Sequence, residues 1–478
     1  IGIKMENFKK FFDSLKEIMP ILKEIKNIGG VSYLVGGSVR DLILGLPVKD
    51  IDIEVHKVSL DKLQKSLAKF GIVKLVGKQF GVLRLNKFDI DWSLPRKDSL
   101  GRKPKVEIDQ NLTIEQACKR RDLTINAMAI NLNDLIKNNE KNNDIKIIDP
   151  FDGQKDLKNK ILKAVDNKLF LQDPLRFFRV MQFIGRFEMK PDESLNELCK
   201  KINLKDIKTG EDLSKERIYE EIKKLFLKSK KPSLGFRWLK DIGRLKEIFP
   251  EIYDLIGVKQ RVDYHPEGDV FEHTMQALDA AALLDKYDNN DEKFSIMLGV
   301  LCHDLGKPKT TDKDLHCYGH EKAGLDITKN FLKRFVQNKE LIKIVCKLVL
   351  YHTAPALLVK QKSSLKAYKR LALKLSPNVS LRQLGLVTIC DLKGRNPKSH
   401  EPLDKIINAY EEKYSYFIQK IKEANVEHGA EKPILQGRDL LDVVGEGPKL
   451  GELVKRAYKI QIDEGIKDID ELKRRVLE

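Results

Sequence analysis

Hydrophobic positions along this 478-residue chain switch period part-way, and the switch divides the molecule. Phe8, Phe11, Leu15, Ile18, Leu22 and Ile25 recur at helical spacing and predict a helix over residues 5–27, with Pro20 as a break point. Val31–Val35 is an apolar run ended by Gly36-Gly37. A short helix is expected from Ser38, ending near Gly45 with Pro47 beyond it. Asp50 to Val55 then alternates as a strand does. Leu60, Leu63, Leu67 and Phe70 mark another helix that stops at Gly71, and Ile72–Val76, Gly81–Leu85 and Phe88–Leu94 read as short strands. Residues 95–111 are polar, basic and broken by Gly101 and Pro104, so they read as a mobile loop. From Asp156 onward the pattern is almost entirely helical. The expected class is α+β: an N-terminal mixed α/β unit followed by helices.

The first strand–turn–helix carries candidate chemistry. Gly36 and Gly37 let the backbone turn sharply and approach a ligand closely. Ser38 and Arg40 open the helix, whose free N–H groups face that turn and suit a triphosphate. Alternate strand residues share a face, so Asp50 and Asp52 point the same way, about one pleat apart, as a Mg²⁺ pair requires. Asp91, on a later strand, is a candidate third carboxylate. A lone Asp-x-Asp is more often a solvated strand edge; the glycine element at a fixed offset before it favours the functional reading.

Charge and cysteine usage narrow the setting. Lys and Arg number 89 against 71 Asp and Glu, a formal charge of +18 that suits a polyanionic partner. The six cysteines stand singly, at 118, 199, 302, 317, 346 and 390, which fits reduced thiols in a cytoplasm and excludes a Cys-x-x-Cys zinc ribbon. No apolar run is expected to reach the roughly 20 residues of a membrane span. The lysine-rich start does not read as a signal peptide.

The stretch Leu34 to Val55 resembles the nucleotidyltransferase signature of the class II tRNA nucleotidyltransferase and poly(A) polymerase family, whose two aspartates hold the metals for nucleotidyl transfer. Asp91 to Arg96 matches the family's D-x-x-L-P-R, placed before its flexible loop. Arg120, Arg121, Asp122 and Asn126 lie in a segment close to its R-R-D-F-T-I-N-A motif. Two adjacent arginines can serve as phosphate ligands, with Asp122 and Asn126 fixing backbone or ribose. Asp173, Arg176 and Arg179 share one side of a helix. They fall where the family's E-D-x-x-R motif reads the incoming base, with Gln172 in place of the Glu; a helix cap plus a solvated basic stripe is the plainer alternative. Ser214 to Arg217 then starts a helix typical of the family's neck.

A second constellation follows. Seven of the nine histidines fall between His265 and His400. The run His303-Asp304-Leu305-Gly306-Lys307, with histidines on flanking helices, resembles the HD superfamily of metal-dependent phosphohydrolases. Its ligand order implies His273, His303, Asp304, His320, His352 and Asp391 as metal ligands, with Lys307 holding a phosphate. Imidazole and carboxylate together suit Mn²⁺, Ni²⁺, Fe²⁺ or Mg²⁺ more than a structural zinc.

The two resemblances cover essentially the whole chain. They imply an N-terminal helix (1–27), a nucleotidyltransferase palm (28–165), a helical neck (166–255), an HD domain (256–400) and a helical RNA-binding tail (401–478). The implied activity is template-free addition of C, C and A to the tRNA 3′ end from CTP and ATP, with Mg²⁺ at the palm, in the cytoplasm, and with no membrane and no obligate protein partner. The alternatives are a CC-adding, A-adding or poly(A)-forming relative, or an HD phosphohydrolase with a nucleotide-sensing palm. The two intact aspartates argue against the last.

Overall fold

A computed structural model describes residues 11, 13, 15–48, 51–76, 81–98, 106–137, 146–205, 213–396 and 402–478. The chain divides into two compact units, residues 1–221 and 222–478; along the sequence the division falls within the helix Lys215–Lys228.

The first unit is built on helix α1 (Met19–Asn27), strand β1 (Val31–Val35), helix α2 (Gly37–Ile43), strand β2 (Ile51–His56), helix α3 (Leu60–Ala68) and strands β3 (Val73–Val76), β4 (Val82–Leu85) and β5 (Ile90–Ser93). Strands β6 (Ala129–Asn131) and β7 (Ile147–Ile148) complete a sheet of order β3-β4-β5-β2-β1-β6-β7. Within it β2 and β5 run parallel and the other neighbours antiparallel. Period-2 alternation sorts the two faces. Leu34, Ile53, Leu83 and Trp92 are fully buried, and the registers Leu34↔Ile53, Ile53↔Trp92 and Leu83↔Trp92 put them on one face. The apolar stripes of α1 (Ile21, Leu22, Ile25) and α3 (Leu63, Leu67) are buried too, and both helices contact the sheet. The opposite face carries Asp52, Glu54 and Asp91 on β2 and β5, and Val35 and Ala129 of a small apolar cluster on β1 and β6.

Local differences from the sequence reading have simple causes. The helical stretch is interrupted just ahead of Pro20: a 3₁₀ turn, Lys16–Ile18, comes before α1, and Pro20 sits in the first turn of α1, where a missing N–H costs nothing. The flanks of the loop at 95–111 form a two-stranded ribbon, Arg96–Asp98 with Val106–Ile108, while residues 99–105 lie outside the described ones. The apolar-run expectation is corrected as well. Lys339–Lys360 is long and apolar enough, by length and composition, to cross a membrane. The segment is interrupted after Tyr351, at His352 and Thr353, and Leu341, Val345, Leu348 and Val349 are buried in the second unit.

The second unit is helical among the described residues. Helices α4 (Val270–Leu283), α5 (Asn290–Cys302), α6 (His320–Leu332), α7 (Lys339–Tyr351) and α8 (Leu381–Lys393) form its centre. From Phe294 to Cys302 every residue of α5 is buried, as expected of a helix surrounded by others. Gly306 is required by close packing: a Cβ there would stand 2.0 Å from the His320 carbonyl oxygen and 2.7 Å from the Gly324 nitrogen. A separate small core of Leu435, Leu440, Ala457, Leu472 and Val476 closes the tail.

Candidate functional sites

In the first unit the polar face of the sheet gathers charge. Asp52 on β2 is in parallel register with Asp91 on β5, and Asp91 in turn pairs across with Arg84 on β4. The two carboxylates therefore share a row. Arg84 Nε donates to Asp91 Oδ1 at 2.7 Å. Asp50 lies outside the described residues. The Ser38 hydroxyl, buried, accepts from the Asp52 backbone N–H at 3.2 Å and so ties the start of β2 to α2.

One step along β2 from the acidic row is a residue that sequence reasoning missed. Glu54 continues the Asp50–Asp52 alternation and is wholly buried. Its Oε1 accepts from His56 Nε2 at 3.0 Å, and its Oε2 faces Arg120 Nη2 at 3.7 Å and Arg121 Nη2 at 3.9 Å. Burial alone would raise this carboxyl, but His56 and the two arginines bring it down to about 2. The Arg121 guanidinium also lies over the glycine turn: a Cβ on Gly36 would meet its Nη1 at 2.4 Å, and Gly36 holds φ at +68°. Gly36 thus meets both demands of a tight turn, left-handed backbone and room for a close neighbour.

Behind this surface runs a buried polar chain. Arg40, expected in the triphosphate cradle, is turned inward. Its guanidinium donates to Asp41 Oδ1 and to Asn126 Oδ1 and lies 5.2 Å and 4.8 Å from the ring centres of Phe183 and Phe187. Asn126 Nδ2 donates to Asp122 Oδ1 at 2.9 Å, and Arg179 Nε donates to Asp122 Oδ2 at 2.5 Å. Burial opposes the Asp122 charge, yet Arg179 and Asn126 hold this carboxyl well below the usual range. The chain links α2, the 3₁₀ turn Thr124–Asn126 and the helix Leu175–Phe187 that bears Arg176 and Arg179. Arg176 donates to the carbonyls of Leu169 (2.9 Å) and Arg120 (2.8 Å). Asp173 accepts the Leu175 N–H at 3.1 Å and pairs with Arg217 at 3.0 Å. The three residues read as one stripe thus have three different partners, and Arg217 joins them as a residue missed from sequence.

The second unit converges all six expected metal ligands. His273 lies in α4, His303 and Asp304 just past α5, His320 at the first position of α6, His352 just past α7 and Asp391 in α8. His273, His303, Asp304 and His352 are nearly inaccessible. Two ligand triplets emerge, His273 with His303 and Asp391, and Asp304 with His320 and His352. Asp304 spans them, with Oδ2 at 3.2 Å from His303 Nε2 and Oδ1 at 3.4 Å from His320 Nε2. The ring tautomers follow from their partners. Nδ1 of His303, His320 and His352 meets the carbonyls of Val300, Cys317 and Val349 at 2.6–2.7 Å. A carbonyl only accepts, so each Nδ1 carries a hydrogen, and each ring when neutral turns its Nε2 lone pair to the centre. His273 Nε2 comes within 3.3 Å of His303 Nε2, and His320 Nε2 within 3.2 Å of His352 Nε2. Lone pairs this close need a proton or a cation between them. Four imidazole nitrogens and two carboxylates are a fitting donor set for divalent transition metals.

Basic side chains border this centre. Lys307 Nζ lies 2.7 Å from both Asp304 Oδ2 and Gln260 Oε1, and Arg395 Nη2 lies 3.2 Å from Asp391. Despite burial, these neighbours and the histidines hold both aspartates well below the usual range. Burial and the neighbouring rings push His352 down to about 4. Burial would lower His320 as well, but Cys317, Asp304 and Glu321 raise it to about 9.

The fold and the two constellations define a polymerase-type nucleotidyltransferase head joined in one chain to an HD domain. Residues 32–163 match the model of the poly A polymerase head domain, residues 211–255 that of the probable RNA and SrmB-binding site of polymerase A, and residues 270–377 that of the HD domain. A multifunctional CCA protein of Mannheimia succiniciproducens is 34% identical over 84% of this chain and 93% of its own length. Another, from Haemophilus influenzae, is 37% identical over 67% and 74%. The chain belongs to the multifunctional CCA protein family. Among solved structures, the Bacillus stearothermophilus CCA-adding enzyme in complex with CTP superposes with TM-score 0.60 at 18% identity, covering 96% of this chain and 97% of that one. The Thermotoga maritima CCA-adding enzyme complexed with tRNA gives 0.54 at 22%, covering 97% and 95%. These two share its fold.

Proposed function

We propose that this protein adds C, C and A to the 3′ end of tRNA from CTP and ATP, and that its HD domain is a second, phosphohydrolase site. The observation that carries the first part is the Asp52–Asp91 row beside the Gly36 turn, with Arg120 and Arg121 gathered on Glu54. Asp52, with Asp50, would hold Mg²⁺, which activates the tRNA 3′ hydroxyl and neutralises charge at the α-phosphorus. Gly36, Gly37 and the start of α2 approach the triphosphate. Arg120 and Arg121 stabilise the departing pyrophosphate, and Glu54 keeps both guanidiniums on that side of the sheet. Asp173 and Arg176 read the base: a carboxylate accepts from the amino group of cytosine or adenine, and a guanidinium donates to the ring nitrogen. Asp122, Asn126 and Arg40 fix the reading helix to the glycine turn.

In the HD domain, His273, His303 and Asp391 would hold one divalent ion and Asp304, His320 and His352 another, of the Mn²⁺, Ni²⁺, Fe²⁺ or Mg²⁺ type. Such ions supply a water-activating centre for phosphoester hydrolysis. Lys307 and Arg395 favour an anionic substrate. The working division of the chain remains helix 1–27, palm 28–165, neck 166–255, HD domain 256–400 and tail 401–478, with the tail contacting RNA and the protein acting in the cytoplasm.

The match to a poly A polymerase head favours a second reading, in which one nucleotide is added repeatedly or only part of CCA is made. Incubation with tRNA lacking its 3′ end separates the two. CTP alone should stop after two additions, and both nucleotides together should yield CCA. A growing A tract with ATP alone would support the poly(A) reading instead.

A further inference from the structure

The loop before α4 holds two residues that neither ligand triplet requires, His265 and Glu267. The Glu267 side chain is completely inaccessible. Its Oε1 accepts two hydrogen bonds, from His273 Nδ1 at 2.8 Å and from His265 Nδ1 at 2.9 Å, and its Oε2 accepts the Asn396 backbone N–H at 3.2 Å. The His265 and His273 rings meet edge to face, 4.7 Å between centres. His303, His320 and His352 each lean on the carbonyl three residues earlier in their own chain segment, with Glu321 Oε2 standing off His320 Nδ1 at 3.6 Å. Among the described residues, His273 is the ligand ring whose Nδ1 is hydrogen-bonded to a carboxylate.

That difference has a chemical consequence. A hydrogen bond to an ionised acceptor is roughly twice as strong as one to a neutral carbonyl. It orients the ring and raises the basicity of the far nitrogen. Asp391, in the same triplet, is meanwhile drawn toward Arg395. The triplet of His273, His303 and Asp391 therefore leans on one buried carboxylate in the loop just before α4, whereas His320 and His352 of the other triplet lean on backbone carbonyls.

We propose that Glu267 is a positioning residue that fixes His273 and sets the metal affinity of the His273–His303–Asp391 position separately from its neighbour. His265 shares the carboxylate and packs on the ring without being a ligand. The proposal rests on the metal reading of the HD domain given above.

The test is Ni²⁺ titration of the purified full chain, read by native mass spectrometry and calorimetry, in excess Mg²⁺ to saturate the oxygen-only palm site. Wild type should bind two Ni²⁺ ions. Glu267→Gln keeps the volume and one acceptor but removes the charge. It should weaken one of the two ions by about 10–100-fold and leave the other unchanged. Thermal unfolding in EDTA should match wild type. His265→Phe keeps the ring packing and leaves Glu267 wholly to His273, so both affinities should hold or tighten. Unchanged binding in Glu267→Gln overturns the clamp while the metal site survives. Equal weakening of both ions, or the same loss in His265→Phe, overturns it too. A wild type that binds no Ni²⁺ removes the metal reading and this proposal with it.

Discussion

The pair of buried Asp122 and half-buried Arg179 offers the sharpest test of how the first unit holds the helix proposed to read the base. Asp122→Asn is isosteric but puts an amide where Arg179 Nε donates at 2.5 Å and Asn126 Nδ2 at 2.9 Å. Arg179 then loses its ionic partner. Breaking a buried pair costs about 3–5 kcal/mol. The Arg179 side chain is 33% exposed, so solvent screens part of that charge, and about 2–3 kcal/mol is expected. For a unit of this size that is roughly 5–10 °C in its unfolding midpoint. The pH dependence has a fixed sign. The folded Asp122 carboxyl lies below its unfolded value, so its stabilisation is full above about pH 4 and fades as pH falls further. Wild type and variant should therefore converge in acid. Denaturant unfolding, followed by hydrogen exchange over residues 122–126 and 175–187, measures the loss where it arises. A double-mutant cycle with Arg179→Gln should give a coupling above about 1 kcal/mol. Coupling near zero would refute the idea that this pair ties the helix to the nucleotide-facing turn.

Other outcomes follow from the same geometry. Asp52→Ala, at the centre of the carboxylate row, should abolish nucleotide addition while tRNA binding in a filter assay stays near wild type, because binding rests on spread phosphate contacts. His303→Ala or Asp304→Ala should remove divalent-metal-dependent hydrolysis, assayed on 2′,3′-cyclic nucleotides, and spare CCA addition; loss of both activities would contradict two separate sites. The register Asp98↔Val106 allows Ser99–Lys105 to be replaced by a two-residue Asn-Gly turn. That exchange should leave CC addition and cripple A addition, and equal loss of both would mean a general RNA contact. Asp173→Ala should relax selectivity toward UTP and GTP by about tenfold to a hundredfold, since an unpaired buried polar group costs roughly 1–3 kcal/mol. Unchanged selectivity would make the Asp173–Arg217 pair a helix-end brace only.

What was legible in the sequence is what repeats locally. The strand–glycine–helix–strand order of β1, α2 and β2 follows from period and punctuation alone, and so does the helical remainder. The six candidate HD ligands were legible because their order along the chain resembles a known family, and the structure brings all six together. What was not legible is partnership at long range. Arg40 and Asn126 are 86 residues apart, and nothing in either neighbourhood says that the arginine of the glycine motif turns inward to meet the asparagine. Arg217 lies in the helix Lys215–Lys228, 44 residues from Asp173, which stands just ahead of the helix Leu175–Phe187, and periodicity carries no information about such pairs. Glu54 is the exception. It extends the Asp50–Asp52 alternation by one step, so its face was readable, but its burial and its arginine partners were not.

This asymmetry has a physical origin. The residues proposed to touch nucleotide or metal lie on single elements or at their ends: Gly36 before α2, Asp52 on β2, His303 past α5, His320 opening α6 and His352 past α7. An element's end is where backbone groups lack partners within that element, so its position shows in caps, glycines and changes of period. The residues that hold these in place work across elements, through buried charge: Glu54 on two arginines, Asp122 on Arg179, Glu267 on two histidines. A buried carboxylate looks in sequence like any surface acid, and only packing separates the two. Each of the three costs more to bury unpaired than a surface acid would, so each depends on the partner it fixes. That dependence makes these three acids, more than the ligands themselves, the positions where a single charge-neutralising substitution tests whether the supporting contacts have been read correctly.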